Sequence, residues 1–84
     1  MAAVSFLLNG VQMTLDETRV RAAMEGAEPE AIRAHVVEVD GNTFPVKQVF
    51  SAATGLDRLD FTTNQARTVL KRLGFNVARI EDNS

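Results

Sequence analysis

The sequence predicts a single small α+β domain over residues 1–84, built from β-hairpins and a helix-turn-helix-like pair of helices. Two dipeptides, Asn9-Gly10 and Asp40-Gly41, each separate runs rich in apolar or β-branched residues, which is the strongest short signal for a hairpin. Residues 61–75 carry the start and stop signals of a complete helix. The length of 84 residues and the hydrophobic fraction of 45% suit one globular domain.

Residues 62–73 form the most strongly specified element. Thr62 followed by Gln65 is a capping-box pattern, which begins a helix. Gly74 is suited to the left-handed residue after a helix, and Phe75 then contacts Leu70 in a Schellman stop. Apolar residues fall at helical spacing and predict the buried face: Ala66, Val69, Leu70 and Leu73.

At the N-terminus, Val4–Leu8 and Val11–Leu15 are predicted to pair as a hairpin. The alternative is one short strand followed by a bend at Gly10. Thr14-Leu15-Asp16-Glu17 is a second capping-box pattern, so a helix is expected over about residues 15–25, ending at Gly26. This helix should bury Val20, Ala23 and Met24, and it should expose Arg19 and Arg21 as ordinary surface charges.

In the middle of the chain, Pro29 is expected to open a short helical turn through Ala31 and Ile32. His35–Val39 reads as a β-branched strand, which the Asp40-Gly41 turn joins to a partner strand over residues 42–44. Pro45 supplies the first residue of the next helix.

That helix is predicted over Val46–Thr54, with Gly55 at its end. Lys47, Gln48 and Ser51 should face outward. In the loop that follows, Leu56, Leu59 and Phe61 are expected to anchor the chain to the core. Residues 75–80 alternate and predict a closing strand, and residues 81–84 a frayed tail.

Charge is distributed unevenly along the chain. Residues 1–60 hold nine acids and five bases, whereas residues 61–80 hold four bases and no acid. The 62–73 helix therefore has a basic outer face, which suits either a DNA groove or a simple solvated surface.

The pair of helices between Pro45 and Leu73 suggests a helix-turn-helix, although the loop over residues 55–61 is longer than usual. On this interpretation the domain binds double-stranded DNA without catalysis. The candidates for contact with the groove are Thr63, Asn64, Arg67, Thr68 and Lys71. The candidates for contact with phosphates are Lys47, Arg72 and Arg79.

Catalytic and metal-binding chemistry is poorly represented. The chain has no cysteine and a single histidine, His35, within a predicted strand. It has no glycine-rich phosphate loop. We therefore expect no enzyme activity, no cofactor and no metal. The absence of cysteine, of a signal-peptide pattern and of a long apolar run favours a cytoplasmic protein without a membrane partner.

Several short motifs resemble those of a known bacterial family. They are Glu38-Val39-Asp40-Gly41, Phe44-Pro45-Val46-Lys47-Gln48-Val49, Phe61-Thr62 and Leu70-Lys71-Arg72-Leu73-Gly74-Phe75-Asn76-Val77. Over residues 35–78 the chain resembles the small accessory domains that accompany HNH-type and modification-dependent restriction endonucleases, which also occur as short standalone bacterial proteins. The resemblance implies an association with DNA. The HNH residues themselves are missing, so no nuclease activity is implied.

A second function class stays open. The apolar run Val4–Leu8 is suited to pairing with a strand of a partner protein, or with a second copy of the chain. In that case the domain is a protein-interaction or regulatory module.

Overall fold

The computed structural model describes residues 3–31 and 34–80. Over these residues the chain forms two antiparallel sheets and three α-helices, which confirms the α+β class. The strands are β1 (Val4–Leu8), β2 (Val11–Leu15), β3 (His35–Val39), β4 (Asn42–Pro45) and β5 (Asn76–Arg79). The helices are α1 (Glu17–Met24), α2 (Val46–Thr54) and α3 (Thr63–Arg72).

Both predicted hairpins are present. β1 pairs with β2, and β3 pairs with β4, in each case antiparallel. The first turn has φ of 50° at Asn9 and 82° at Gly10, and the second has φ of 50° at Asp40 and 84° at Gly41. Two successive positive φ angles define the type I′ turn, which matches the twist of the strands that it joins.

The first helix begins later than the sequence predicts. Leu15 is the last residue of β2, where it pairs with Val4 and is 2% exposed. The cap is Asp16, whose carboxylate accepts a hydrogen bond of 2.7 Å from the backbone N–H of Arg19. The Thr14 hydroxyl instead shares a hydrogen bond of 3.2 Å with Ser5 across the hairpin. Strand pairing and the burial of Leu15 thus displace the predicted Thr14 cap.

The two arginines of α1 are exposed, as predicted, but both also make structural contacts. The Nε of Arg19 donates a hydrogen bond of 3.1 Å to the carbonyl of Ala53 in α2. Arg21 forms ion pairs with Glu17 and Asp40. Its guanidinium carbon also lies 5.6 Å from the centre of the Phe75 ring.

The predicted helical turn after Pro29 is absent, since residues 27–31 have no regular secondary structure. Ile32 lies outside the described residues. Gln48 of α2 holds this linker: its Oε1 accepts from the N–H of Glu30 at 2.9 Å, and its Nε2 donates to the carbonyl of Glu28 at 2.8 Å. Gln48 is 9% exposed, so its predicted outward orientation is wrong. Both polar ends of its amide find backbone partners, which allows a glutamine to be buried.

α2 has the predicted bounds, and Gly55 ends it with φ of 78°. Pro45 caps the helix rather than being its first residue. The connection to α3 contains a single 3-10 turn, Arg58–Asp60. Phe61 is buried, but Leu59 is 92% exposed, so its predicted role as an anchor is wrong. The 3-10 turn directs Leu59 away from the core.

α3 confirms the prediction at both ends. The Thr62 hydroxyl accepts from the N–H of Gln65 at 3.1 Å, and the Gln65 side chain accepts from the N–H of Thr62 at 2.9 Å. After the helix, the N–H of Phe75 bonds to the carbonyl of Leu70 at 3.2 Å, and Gly74 has φ of 96°. These are the contacts of a Schellman stop.

The core lies where the helices meet the sheets. α2 contacts both α1 and α3, and the Phe50 ring of α2 packs against Phe6 in a tilted pair and against Phe61 in an edge-to-face pair. The predicted apolar face of α3 is buried. β5 pairs antiparallel with β3, giving the order β4-β3-β5. This register places His35 directly opposite Arg79.

Candidate functional site

One side of α3 presents polar and basic residues to solvent. They are Asn64, Thr68, Lys71 and Arg72, and all four are exposed. We call these four residues the α3 stripe. Asn64, Thr68 and Arg72 follow one another at intervals of four residues, and Lys71 lies three residues after Thr68, so all four lie on one side of the helix. No acidic residue occurs within α3. The positive charges of Lys71 and Arg72 are therefore not neutralised by a carboxylate of the same helix.

Hydrogen bonds organise the first turn of the stripe. Arg67 Nη1 donates to Asn64 Oδ1 over 3.4 Å, and the Thr68 hydroxyl donates to the Asn64 carbonyl over 2.9 Å. Arg67 is half-buried, and its Nε is buried without a hydrogen-bond partner. Arg67 is therefore placed to orient the Asn64 amide, and is less accessible than the stripe itself.

A cavity of about 410 Å³ lies beside the N-terminal end of α3. Six polar residues line it: Glu30, His35, Lys47, Gln48, Arg58 and Thr63. Ala31, Ala34, Pro45 and Val46 add apolar surface. We call this space the basic cavity. Its lining comes from the linker before β3, the start of β3, the end of β4 and start of α2, the 3-10 turn and the first residue of α3.

The two cationic side chains of the basic cavity, Arg58 and Lys47, differ in whether a carboxylate pairs with them. Arg58 forms a two-pronged ion pair with Glu30, and this hydrogen bonding holds the pKa of Glu30 below its usual value. Lys47 Nζ donates to the carbonyl of Arg58 over 3.3 Å and lies 5.7 Å from the centre of the Phe61 ring. Among the described residues, no carboxylate forms an ion pair with Lys47.

His35 joins the basic cavity to the two remaining predicted cations. Its Nδ1 is buried without a hydrogen-bond partner. Burial, together with the nearby charges of Arg67 and Arg79, lowers the pKa of His35 below its usual value. The imidazole is therefore held neutral near pH 7.

The eight predicted site residues thus fall into two groups. The first is the α3 stripe. The second surrounds the basic cavity: Thr63 and Lys47 line it, and Arg67 and Arg79 lie next to His35. Sequence reasoning missed Glu30, His35 and Arg58. The surroundings of His35 depend on the register of β3 against β5, which places His35 opposite Arg79.

A second cavity, a groove of about 330 Å³, lies between β1 and α3. Its strand side is apolar and consists of Phe6, Leu7 and Leu8. Its helix side is polar and includes Thr62, Asn64, Gln65, Thr68 and Arg72. Leu7 is 71% exposed. The groove therefore adjoins the α3 stripe on the side opposite to Arg67.

Comparison with known proteins places the chain in a family. A family model described as SCO5918-like matches residues 8–84. The chain belongs to the SCO5918-like family. No curated protein and no solved structure matches it. Membership of the SCO5918-like family gives no link to restriction endonucleases or to DNA, so both stay predictions.

Residues 3–31 and 34–80 are the part of the chain that the structure describes. In this part of the chain no three or more histidine or acidic side chains come together in a group that could hold a metal ion. Nor does any helix there have both the length and the apolar character to cross a membrane.

Proposed function

We propose that this SCO5918-like protein is a non-enzymatic DNA-binding module that uses α3 as its recognition helix. The observation that carries the proposal is the α3 stripe: an amide, a hydroxyl and two cations, all exposed on one side of a helix with no acid. A helix with such a surface suits the major groove, where base edges offer hydrogen-bond partners between two lines of phosphates.

The contacts suggest a role for each residue. Asn64 is the base-edge reader, because an asparagine amide can both donate to and accept from adenine. Arg67 orients that amide through its bond to Oδ1. Lys71 and Arg72 contact phosphates, which sets the position of the helix without reading the sequence. Lys47 and Arg79 lie outside α3 and add positive charge to the domain, while the uncharged Thr63 lines the basic cavity together with Lys47.

Cellular context belongs to the same proposal. A bacterial cytoplasmic protein meets the chromosome directly, and a chain without cysteine suits that reducing compartment. An association with restriction endonucleases, implied by the short motifs of residues 35–78, is one setting in which such a module works.

The test is fluorescence anisotropy with labelled duplex pools at two salt concentrations. Asn64→Ala should relax the sequence preference and weaken binding to the preferred duplex by about 1–3 kcal/mol. Lys71→Ala and Arg72→Ala should weaken binding to all duplexes alike, and each should reduce the salt slope by about one.

Gln12→Glu provides the matched control. Gln12 is exposed on β2, and the substitution changes the net charge by the same single unit as Lys71→Ala. It should leave DNA affinity nearly unchanged if the location of the charge matters. Wild-type protein that binds no duplex more tightly than millimolar at low salt would contradict the proposal.

A specific observation favours one other function. Among the described strands, β1 pairs only with β2, and its exposed Leu7 lies at the groove beside α3. A second copy of the chain that adds a strand along β1 would cover Leu7. Sedimentation equilibrium should then show a dimer that Leu7→Glu dissociates and that salt does not. A monomer at all accessible concentrations would exclude this alternative.

A further inference from the structure

We propose that the basic cavity is a binding site for a phosphate monoester carried on a small sugar or nucleotide. The phosphate would lie at Lys47 and Thr63, and the organic part against Ala34, Pro45 and Val46. This site is distinct from the α3 stripe, and it does not depend on DNA binding by that stripe.

The first argument is the arrangement of charge around the cavity. Lys47 has no carboxylate partner among the described residues, whereas Arg58 is paired with Glu30. Arg67 and Arg79 lie close enough to lower the pKa of His35, so their positive field reaches the cavity wall. The site therefore carries a net positive charge without a matching counterion. Phosphate fits it because a lysine ammonium binds phosphate as a point charge.

The second argument is the supply of hydrogen bonds. Thr63 is the first residue of α3, and the N-terminus of a helix favours negative charge through its free N–H groups and its dipole. His35 lines the same cavity. Its Nδ1 is buried, so a ligand in the cavity meets the accessible part of this half-buried residue. A sugar hydroxyl is a suitable partner for a neutral imidazole.

The third argument is size and polarity. A volume of about 410 Å³ lies within the range of ligand pockets, about 300–1,000 Å³. It far exceeds the space that one phosphate ion needs. The apolar part of its wall, formed by Ala31, Ala34, Pro45 and Val46, offers a surface for the carbon skeleton of a pentose next to the phosphate.

Because His35 is the only histidine, the two carbon-bound protons of its ring give one unambiguous pair of NMR signals at the site. The experiment follows these signals and the backbone amides while ribose 5-phosphate, inorganic phosphate or unphosphorylated ribose is added to protein in a buffer that contains no other phosphate. We expect saturable shifts of His35 and Thr63 with ribose 5-phosphate, weaker ones with inorganic phosphate and none with ribose. We also expect the bound dianion to raise the pKa of His35, since a nearby negative charge favours the imidazolium.

Two variants test the assignment in opposite directions. Lys47→Met keeps an apolar stem over Phe61 and removes the charge, so affinity for ribose 5-phosphate should fall by about tenfold. Glu30→Gln removes the carboxylate that competes for Arg58, so affinity should rise several-fold. A gain of affinity cannot come from misfolding.

Asn42→Asp and Gln12→Glu are the controls. Each changes the net charge by one unit at an exposed position outside the cavity lining, and neither should change the affinity by more than a small factor. Loss of binding in both controls would show that only overall charge matters and would overturn the proposal. Failure to saturate at 10 mM ligand, or shifts that map away from His35 and Thr63, would also overturn it.

A further comparison separates the two sources of a phosphate monoester. Duplexes with a 5′-phosphate or a 5′-hydroxyl end are titrated while the same signals are recorded. If the natural ligand is a small molecule, the two duplexes should give equal His35 shifts. A His35 shift that requires the 5′-phosphate end would assign the site to a DNA terminus, and would overturn the small-molecule assignment.

Discussion

Gln48 shows how much a single residue contributes to positioning the basic cavity. A glutamine in the first turn of an amphipathic helix is normally placed in solvent, and the apolar spacing of α2 gives no reason to bury Gln48. The structure buries it because the linker before β3 supplies one N–H and one C=O to its amide. Those two bonds hold the segment that carries Glu30 over the cavity wall.

Replacing Gln48 with leucine, which is similar in size, should destabilise the domain by about 1–3 kcal/mol, because two linker backbone groups lose their partners. Urea unfolding followed by circular dichroism measures the effect. Gln12→Leu, at an exposed position of β2, should change stability by no more than about 0.5 kcal/mol. Equal midpoints for Gln48→Leu and wild type would show that water replaces both bonds without cost.

Among the helices and strands, the sequence predicts those whose start and end are decided by residues close to one another in the chain. α3, α2 and both hairpins were predictable because their caps, turn residues and apolar spacing lie within a few residues of one another. The start of α1 was not, because Thr14 and Asp16 can each cap a helix, and only the pairing of Leu15 with Val4 decides between them. The prediction that Leu59 is buried is wrong because Leu59 lies in the 3-10 turn, which directs its side chain into solvent.

The central hairpin provides a test of that local control. Gly41 has φ of 84°, and a Cβ added to it would meet no atom within 4 Å. Gly41→Val should therefore destabilise the domain by at least about 1 kcal/mol through backbone strain alone, since β-branched residues resist positive φ.

Gly41→Asn is the control for the Gly41→Val measurement, because asparagine tolerates the left-handed region. It should cost clearly less than valine when both midpoints are measured in urea. If the two variants are equally stable, strain at the turn is not the cause of the loss.

The whole molecule creates the basic cavity, and no local pattern does. Lys47 is predicted to contact phosphate, but the residues that line the cavity with it come from separate segments: the linker, β3, the 3-10 turn and the start of α3. His35 and Arg79 are 44 positions apart in the chain, yet they face each other across the sheet. Their meeting depends on strand order, which hydrophobic periodicity does not specify. The α3 stripe, by contrast, lies within a single helix and was predictable residue by residue.

The same juxtaposition makes stability depend on pH. Burial, then Arg67 and Arg79, lower the pKa of His35 in the folded state from the ordinary value of 6.5. Three other charged side chains line the same cavity as His35, namely Lys47, Arg58 and Glu30, and Glu30 is ion-paired with Arg58. Between the two pKa values the unfolded chain binds more protons than the folded one, so stability is complete above about pH 6.5 and declines as the pH falls below it.

Urea midpoints measured between pH 7.5 and pH 5.0, in buffers without phosphate, should therefore decrease toward acid. This window lies above the usual pKa of Glu30, which is 4.5 and is lowered further by Arg58, so the loss of that ion pair does not contribute. His35→Gln removes the only histidine and should flatten the profile across the window. A decline that persists unchanged in His35→Gln would place the titrating group elsewhere, whereas a flat profile in the wild type would mean that the imidazole is not held neutral by its neighbours.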